Sequence, residues 1–334
     1  MAKLSTLETL RRLVAIPAPP GEEDELREAL VGLLERKDVS VDAKGNLIVG
    51  QPDARVAVVA HMDEVAMMVT DVFYGTVSVT PLGGLYPWKI GEGPVEIFAN
   101  QGRVAGVLGF GGIHTKELEQ RLSDEPLDWA RASIDTGLGS EELTDLGVRA
   151  GCRVALPAHR RTLEVLAGGL VAGYTLDSRA TLVAWLKVVN GVAEREKVAF
   201  VASVQEEVGG HGAMWHLGNH RPEVVVALEL GPVLDDSPVN LNDQPTVWVG
   251  DSYSSTLPSD LRLIESVGAS LGLQIQHQYV TRGGSDASAA AAQGLCARPV
   301  TLGLPLKNSH GFEIIDLNGI DNLANLTAEL IKHV

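Results

Sequence analysis

The sequence predicts an α/β fold, a mixed central sheet with helices on both faces, interrupted by an inserted all-β domain. Three observations lead there. Short β-branched apolar runs at Arg55–Ala60 (RVAVVA), Val198–Val204 (VAFVASV) and Val224–Leu230 (VVVALEL) carry the unbroken apolar pattern of strands buried on both faces. Helical segments accompany them, Ser178–Asn190 before the second run and Ala213–Leu217 before the third, and this alternation belongs to a parallel or mixed sheet. From about Asp71 to Gly168 the texture changes to Gly and Pro breaks between short alternating stretches such as Thr76–Thr80, Val95–Ala99 and Arg103–Leu108. That middle reads as all-β. The expectation is one discontinuous α/β domain, 1–70 with 169–334, around a β domain at 71–168.

The flanking elements follow the same logic. Leu4–Val14 has helical spacing of leucines and is stopped by Pro17, Pro19 and Pro20. Glu22–Arg36 places Leu26, Leu30, Leu33 and Leu34 on one helical face. Val39–Val49 reads as a hairpin turning at Lys44-Gly45-Asn46, where Gly and Asn tolerate positive φ. Leu317–His333 reads as a closing helix, and the apolar loops Gly83–Trp88 and Phe110–Ile113 as interface or capping segments of the inserted domain.

With 334 residues the chain is long enough for two domains. A formal net charge of -16 argues against nucleic acid or an anionic membrane surface as partner. Cys152 and Cys296 are too few for a disulfide framework or a thiolate zinc site. No run approaches the ~18 apolar residues that span a bilayer, and the N-terminal stretch lacks a signal peptide's long apolar segment. A soluble, cytoplasmic protein is expected. There is no G-x-S-x-G elbow, no G-x-x-x-x-G-K-[ST] loop and no G-x-G-x-x-G after a strand, which sets aside serine-hydrolase and nucleotide-binding chemistry.

Open parallel sheets present ligands at the carboxyl ends of their strands, so the residues that follow each buried run matter most. Arg55–Ala60 leads into His61-Met62-Asp63-Glu64, and Val198–Val204 into Gln205-Glu206-Glu207. Glu229 sits near the end of Val224–Leu230, Asn308-Ser309-His310 follows the short apolar Pro299–Leu304, and Asp177 opens a helix after Gly173-Tyr174-Thr175-Leu176. Imidazole and carboxylate are the ligands that zinc takes where thiolates are scarce. Two His and three carboxylates suit two divalent ions ~3.5–4 Å apart with one carboxylate bridging. Adjacent Glu206 and Glu207 at a buried strand end, and Glu229 inside an apolar run, are costly unless a positive charge neutralises them.

In the order HMDE, TLDSR, VQEEVGGHGA, ALELG, GGSDA, NSHGFE, the chain resembles the tetrahedral or deblocking aminopeptidases, glutamyl- and leucyl-aminopeptidase-like co-catalytic metallopeptidases of clan MH. The likeness also takes in IPAPPGEED and the GNLIVG strand. It implies that His61 and His310 each ligate a different metal, that Asp177 bridges the two, and that Glu207 and Glu229 complete the two coordination spheres. Glu206 would be the general base and Asp63 would orient His61. Zinc is the expected metal, with cobalt or manganese as alternatives, and peptides are the expected substrates. The inserted β region would match the family's dimerisation domain, giving a homo-oligomer between a dimer and a dodecamer. Ser178, Glu229 and Gly311 depart from the family's usual Asp, Asp, and Ser or Thr.

Other readings of the same residues remain. N-acyl amino-acid deacylases and carboxypeptidases of the clan use the same kit, and a non-catalytic oligomeric binding protein would keep it as a relic. Gly283-Gly284-Ser285-Asp286 is either a helix cap before Ala287–Gln293 or part of the substrate pocket. His211 is read as a loop histidine, and His114, His159, His216, His220, His277 and His333 as structural or surface.

Overall fold

The computed structural model describes residues 4–36, 38–112, 126–192, 197–235 and 238–334. His114 and Ile113, with the rest of 113–125 of the expected β insert, lie outside them.

The large sheet runs in the order β1 (Val39–Val41), β2 (Leu47–Gly50), β12 (Val198–Ser203), β3 (Val56–His61), β13 (Val224–Pro232), β16 (Arg298–Lys307), β17 (Glu313–Asp316), β11 (Leu170–Gly173), β10 (Glu164–Val165). β14 (Thr246–Gly250) joins β16, and β15 (Gln276–Tyr279) joins β14. The centre is parallel: β3 pairs with β12 and β13, and β13 with β16. β2 and β17 flank it antiparallel, so the sheet is mixed, as the sequence predicts.

Alternation along the central strands explains why both faces are covered. Val56, Val58 and Ala60 of β3, Val198, Phe200 and Ala202 of β12, and Val224, Val226 and Leu228 of β13 enter one core. That core is shared with Leu10 and Leu13 of the helix Thr6–Val14, Trp185 of the helix Leu176–Gly191 and Leu323 of the helix Leu317–Leu330. The intervening Ala57, Val59, Ala199, Val201, Val225 and Ala227 pack on the opposite face against Ala213 and Leu217 of His211–His220 and Ala287 and Ala290 of Asp286–Ala292. Small residues dominate this second face because two short helices must lie close to the sheet.

The middle of the chain folds into a closed barrel of β4 (Ala66–Phe73), β5 (Thr76–Leu82), β8 (Ser133–Asp135), β7 (Gly102–Gly109), β6 (Gly93–Ala99) and β9 (Arg153–Ala155). It has its own core, including Met67, Val69, Ile97, Leu108 and Ile134. Closure leaves no unpaired edge strand. The barrel begins at Ala66, before the Asp71 expected from sequence. β10, inside the expected insert, pairs with β11 in the large sheet instead. Between 233 and 282, where the sequence offers no long apolar run, the chain forms β14, the helix Pro258–Ser270 and β15. β15 is Gln-His-Gln-Tyr, a strand made by its partner rather than by its own hydrophobicity.

His216 illustrates the cost of packing a helix this tightly. It is buried on the helix His211–His220, stacks 4.5 Å from His220, and neither ring nitrogen has a hydrogen-bond partner among the described residues. Burial, helped by the neighbouring His220, depresses its pKa to about 4. Because the folded value lies below the unfolded one, the unfolded chain binds the extra proton first. Stability is therefore full above about pH 6.5 and erodes as the pH falls toward 4. Chemical denaturation across that window should show a shallower loss for His216→Leu, the difference reaching up to about 3 kcal/mol; equal slopes would place the proton elsewhere.

Candidate active site

The carboxyl ends of β3 and β12 lie side by side, with His61 registered against Ser203. The chain leaves β12 through Gln205, a non-glycine residue at φ 56. Thr175, Asn308 and His310 also have left-handed backbones, at φ 62, 62 and 61. Such conformations cost of order 1–3 kcal/mol each and persist where the surroundings enforce them. Here they gather at one rim of the sheet.

At that rim His61, Asp177, Glu206, Glu207, Glu229 and His310 come together. His61 Nε2 lies 3.3 Å from Asp177 Oδ1 and 4.0 Å from Glu229 Oε2. His310 Nε2 lies 3.8 Å from Asp177 Oδ2 and 3.6 Å from Glu207 Oε2. Three overlapping groups have ligand atoms within 4.8 Å of one another: His61 with Asp177 and Glu229, Asp177 with Glu207 and His310, and His61 with Glu206 and Glu207. Asp177 belongs to two of them, offering one oxygen to each histidine. A cavity of ≈ 360 Å³ opens over the cluster, with Leu230, Trp248, Tyr253 and Val280 among its walls.

Each histidine is oriented through its other nitrogen. His61 Nδ1 is 3.0 Å from the Asp63 carbonyl and His310 Nδ1 is 3.0 Å from the Gly84 carbonyl. A carbonyl oxygen only accepts, so in each ring Nδ1 carries the hydrogen and Nε2 is the nitrogen turned to the cluster.

The acidic loop is held by backbone donors. The Asp63 carboxylate accepts from Glu206 N (2.8 Å) and Glu207 N (3.0 Å), and buried Glu23 accepts from Gln205 N (3.2 Å) and Gly21 N (2.9 Å). Asp63 thus shapes the loop of Glu206 and Glu207 as well as touching His61. Burial, with Asp63 close by, lifts Glu23 to about 7. Behind the cluster, Glu64 pairs with Arg161 and Arg179, and Arg179 also donates to the Met62 carbonyl (2.6 Å).

The charge balance is one-sided. Burial pushes Glu206, Glu207, Glu229 and Glu313 well above the usual carboxylate range. Burial also opposes charge on His61 and Asp177, but their mutual contact outweighs it, lifting His61 and lowering Asp177. Burial raises Asp286 to about 6. A site of this kind stays ionised at neutral pH only when positive charge is added to it.

Sequence reasoning left Glu313 without a role. It is 1% exposed, and its two oxygens accept from Asp177 N (2.9 Å) and His310 N (2.8 Å), so one carboxylate clasps the backbone of two cluster residues. Its place at the head of the strand Glu-Ile-Ile-Asp, just after His310, is the signal that could have found it. Ser285 and Asp286 satisfy both readings of their segment: the Ser285 hydroxyl caps the helix, and Asp286 lines the cavity. His211 is exposed at the start of its helix and takes no part in these groups.

Among solved structures this fold is shared with TET aminopeptidases. The TET1 peptidase of Pyrococcus horikoshii, which can assemble into a tetrahedron or a large octahedral shell, superposes with a TM-score of 0.86 at 28% identity, covering 98% of this chain and 99% of that one. The lysyl aminopeptidase of Pyrococcus furiosus is 25% identical over 98% of this chain and 97% of its own length. The glutamyl aminopeptidase of Lactococcus lactis is 24% identical over 93% and 91%. The M42 glutamyl aminopeptidase family model matches residues 45–326, and the chain belongs to that family. It is a hydrolytic aminopeptidase of a metal-dependent family.

The clasp gives a direct expectation. Glu313→Gln turns one of its two acceptors into a donor facing an N–H, and divalent-metal affinity should fall about 10- to 100-fold, as for other outer-shell partners of ligands. Competition against a calibrated chelator reads this; unchanged affinity would reduce Glu313 to a packing residue.

Proposed function

We propose that this aminopeptidase uses two divalent metal ions, held by His61, Asp177, Glu207, Glu229 and His310, and Glu206 as general base, to release residues from the free amino ends of peptides. The observation that carries the reading is convergence: the Nε2 atoms of His61 and His310 lie 3.3–4.0 Å from oxygens of Asp177, Glu207 and Glu229. The buried carboxylates outnumber the two imidazoles and call for added positive charge, and a donor set of two imidazoles and carboxylates suits zinc, with cobalt or manganese also fitting. Asp177, with one oxygen toward each histidine, would be shared between the two ligand sets.

Two divalent ions held there would supply a water of lowered pKa and Lewis-acid polarisation of a carbonyl. The protein's own part is proton handling and placement. Glu206 lines the cavity beside the five proposed ligands, where its carboxylate can take a proton from water and return it to the departing amine. Asp63, through the N–H groups of Glu206 and Glu207, keeps base and ligand in fixed relation. The solved relatives that form a dodecamer or larger shells support a homo-oligomer here; its proposed dimerisation element is the inserted β domain (71–168). No helix among the described residues is long and apolar enough to cross a membrane, which agrees with a cytoplasmic enzyme.

The test is release of N-terminal residues from paired free and N-acetylated peptides. Free peptides should be cleaved, a chelator should stop cleavage, and zinc, cobalt or manganese should restore it. Glu206→Gln should lower turnover by about 10²- to 10⁴-fold with metal content retained. Cleavage of the acetylated set alone would make the chain a deacylase, and wild-type turnover in Glu206→Gln would remove Glu206 from the mechanism.

A further inference from the structure

One carboxylate at the cavity is used neither by the candidate metal groups nor as a helix cap. Asp286 is 2% exposed and lines the cavity together with Glu206 and Glu229. Its neighbour Ser285 does the capping, accepting from Ser288 N, so the Asp286 side chain is free of that duty. Asp286 Oδ2 accepts from the Ser203 hydroxyl at 2.8 Å. Oδ1 is buried and has no hydrogen-bond partner among the described residues.

The unpartnered oxygen faces Gly210. A Cβ built on Gly210 would stand 3.1 Å from Asp286 Oδ1, and Gly210 also lines the cavity. Glycine at this point keeps the approach to that oxygen open. An ionised buried oxygen lacking a donor is costly, and the cost is recovered only when a donor arrives. Because the surroundings are acidic, the donor that fits is a small cation. An aminopeptidase substrate carries one such group, an α-ammonium on the carbon next to the carbonyl that is attacked.

We propose that Asp286 Oδ1 accepts a hydrogen bond from the α-ammonium of the bound peptide, which makes Asp286 the residue that selects free amino ends. This rests on the aminopeptidase mechanism proposed above. The same geometry gives buried Ser203 a role at the end of β12: its hydroxyl fixes Oδ2 and leaves Oδ1 on the Gly210 side. A peptide with an acylated nitrogen brings neither the charge nor the room.

The experiment uses two metal-binding inhibitors that differ only in the amine, leucine hydroxamate and 4-methylpentanohydroxamate, titrated against the metal-loaded enzyme. Wild type should prefer the amino compound. Asp286→Asn should cut that preference about 10- to 100-fold, the equivalent of one charge-assisted hydrogen bond, with affinity for the des-amino compound and metal content unchanged. Gly210→Ala, which crowds Oδ1 without removing it, should cut the preference in the same direction and stands as the test if Asp286→Asn does not fold. An undiminished preference in either folded variant, or an equal loss of both inhibitors, overturns the assignment. Failure of the parent mechanism is read separately, as wild-type enzyme that does not cleave free peptides.

Discussion

A high density of buried carboxylates at the carboxyl ends of β3, β12 and β13 is the constraint on which the rest of the site depends. Asp63, Glu64, Glu229, Asp286 and Glu313 are all under 9% exposed, and Glu206, Glu207 and Asp177 sit among them. Taken from water without compensation, each ion would cost several kcal/mol. The fold compensates in two ways. Glu64 is neutralised outright by Arg161 and Arg179. Asp63, Glu23 and Glu313 are instead given backbone N–H groups, two apiece. What remains uncompensated faces the cavity. That residue of negative charge is the part of the protein available for ligands.

This division accounts for the strained backbone at the rim. To turn consecutive N–H groups of Gln205, Glu206 and Glu207 onto two different carboxylates, the chain leaves its strand through a left-handed residue that is not glycine. The same holds at Thr175, just before Asp177, and at Asn308 and His310. Local strain of of order 1–3 kcal/mol per residue is small beside the energy of a buried charge left without donors. The direction of causation runs from electrostatics to backbone geometry.

Much of this was legible from the order of residues. Buried runs of Val and Ala identify β3, β12 and β13, because a parallel strand covered on both faces has no polar positions to spare. Acidic and histidine residues immediately after such runs are conspicuous for the same reason, and His61, Glu206, Glu207, Glu229 and His310 stand there. The all-β texture of the middle also forms a barrel, through closely spaced Gly and Pro breaks. What stayed hidden was three-dimensional. Nothing in the sequence says that Glu313 reaches back to the amide of Asp177, that Glu23 holds Gln205, or that Arg161 crosses to Glu64. These pairs are remote in the chain and have no periodic signature. β15 was hidden for another reason, since Gln-His-Gln-Tyr becomes a strand only by pairing with β14.

The barrel is more than an appendage to this centre. The Gly84 carbonyl belongs to the segment that follows β5, and it receives His310 Nδ1 from the far end of the chain. Gly84 is glycine of necessity, for a Cβ there would stand 2.8 Å from that nitrogen. The tautomer of one of the two site histidines is therefore set by an inserted module, while that of His61 is set by its own strand end through the Asp63 carbonyl. Neither unit can shift against the other without releasing His310. The contact converts barrel position into imidazole orientation at the cluster of carboxylates.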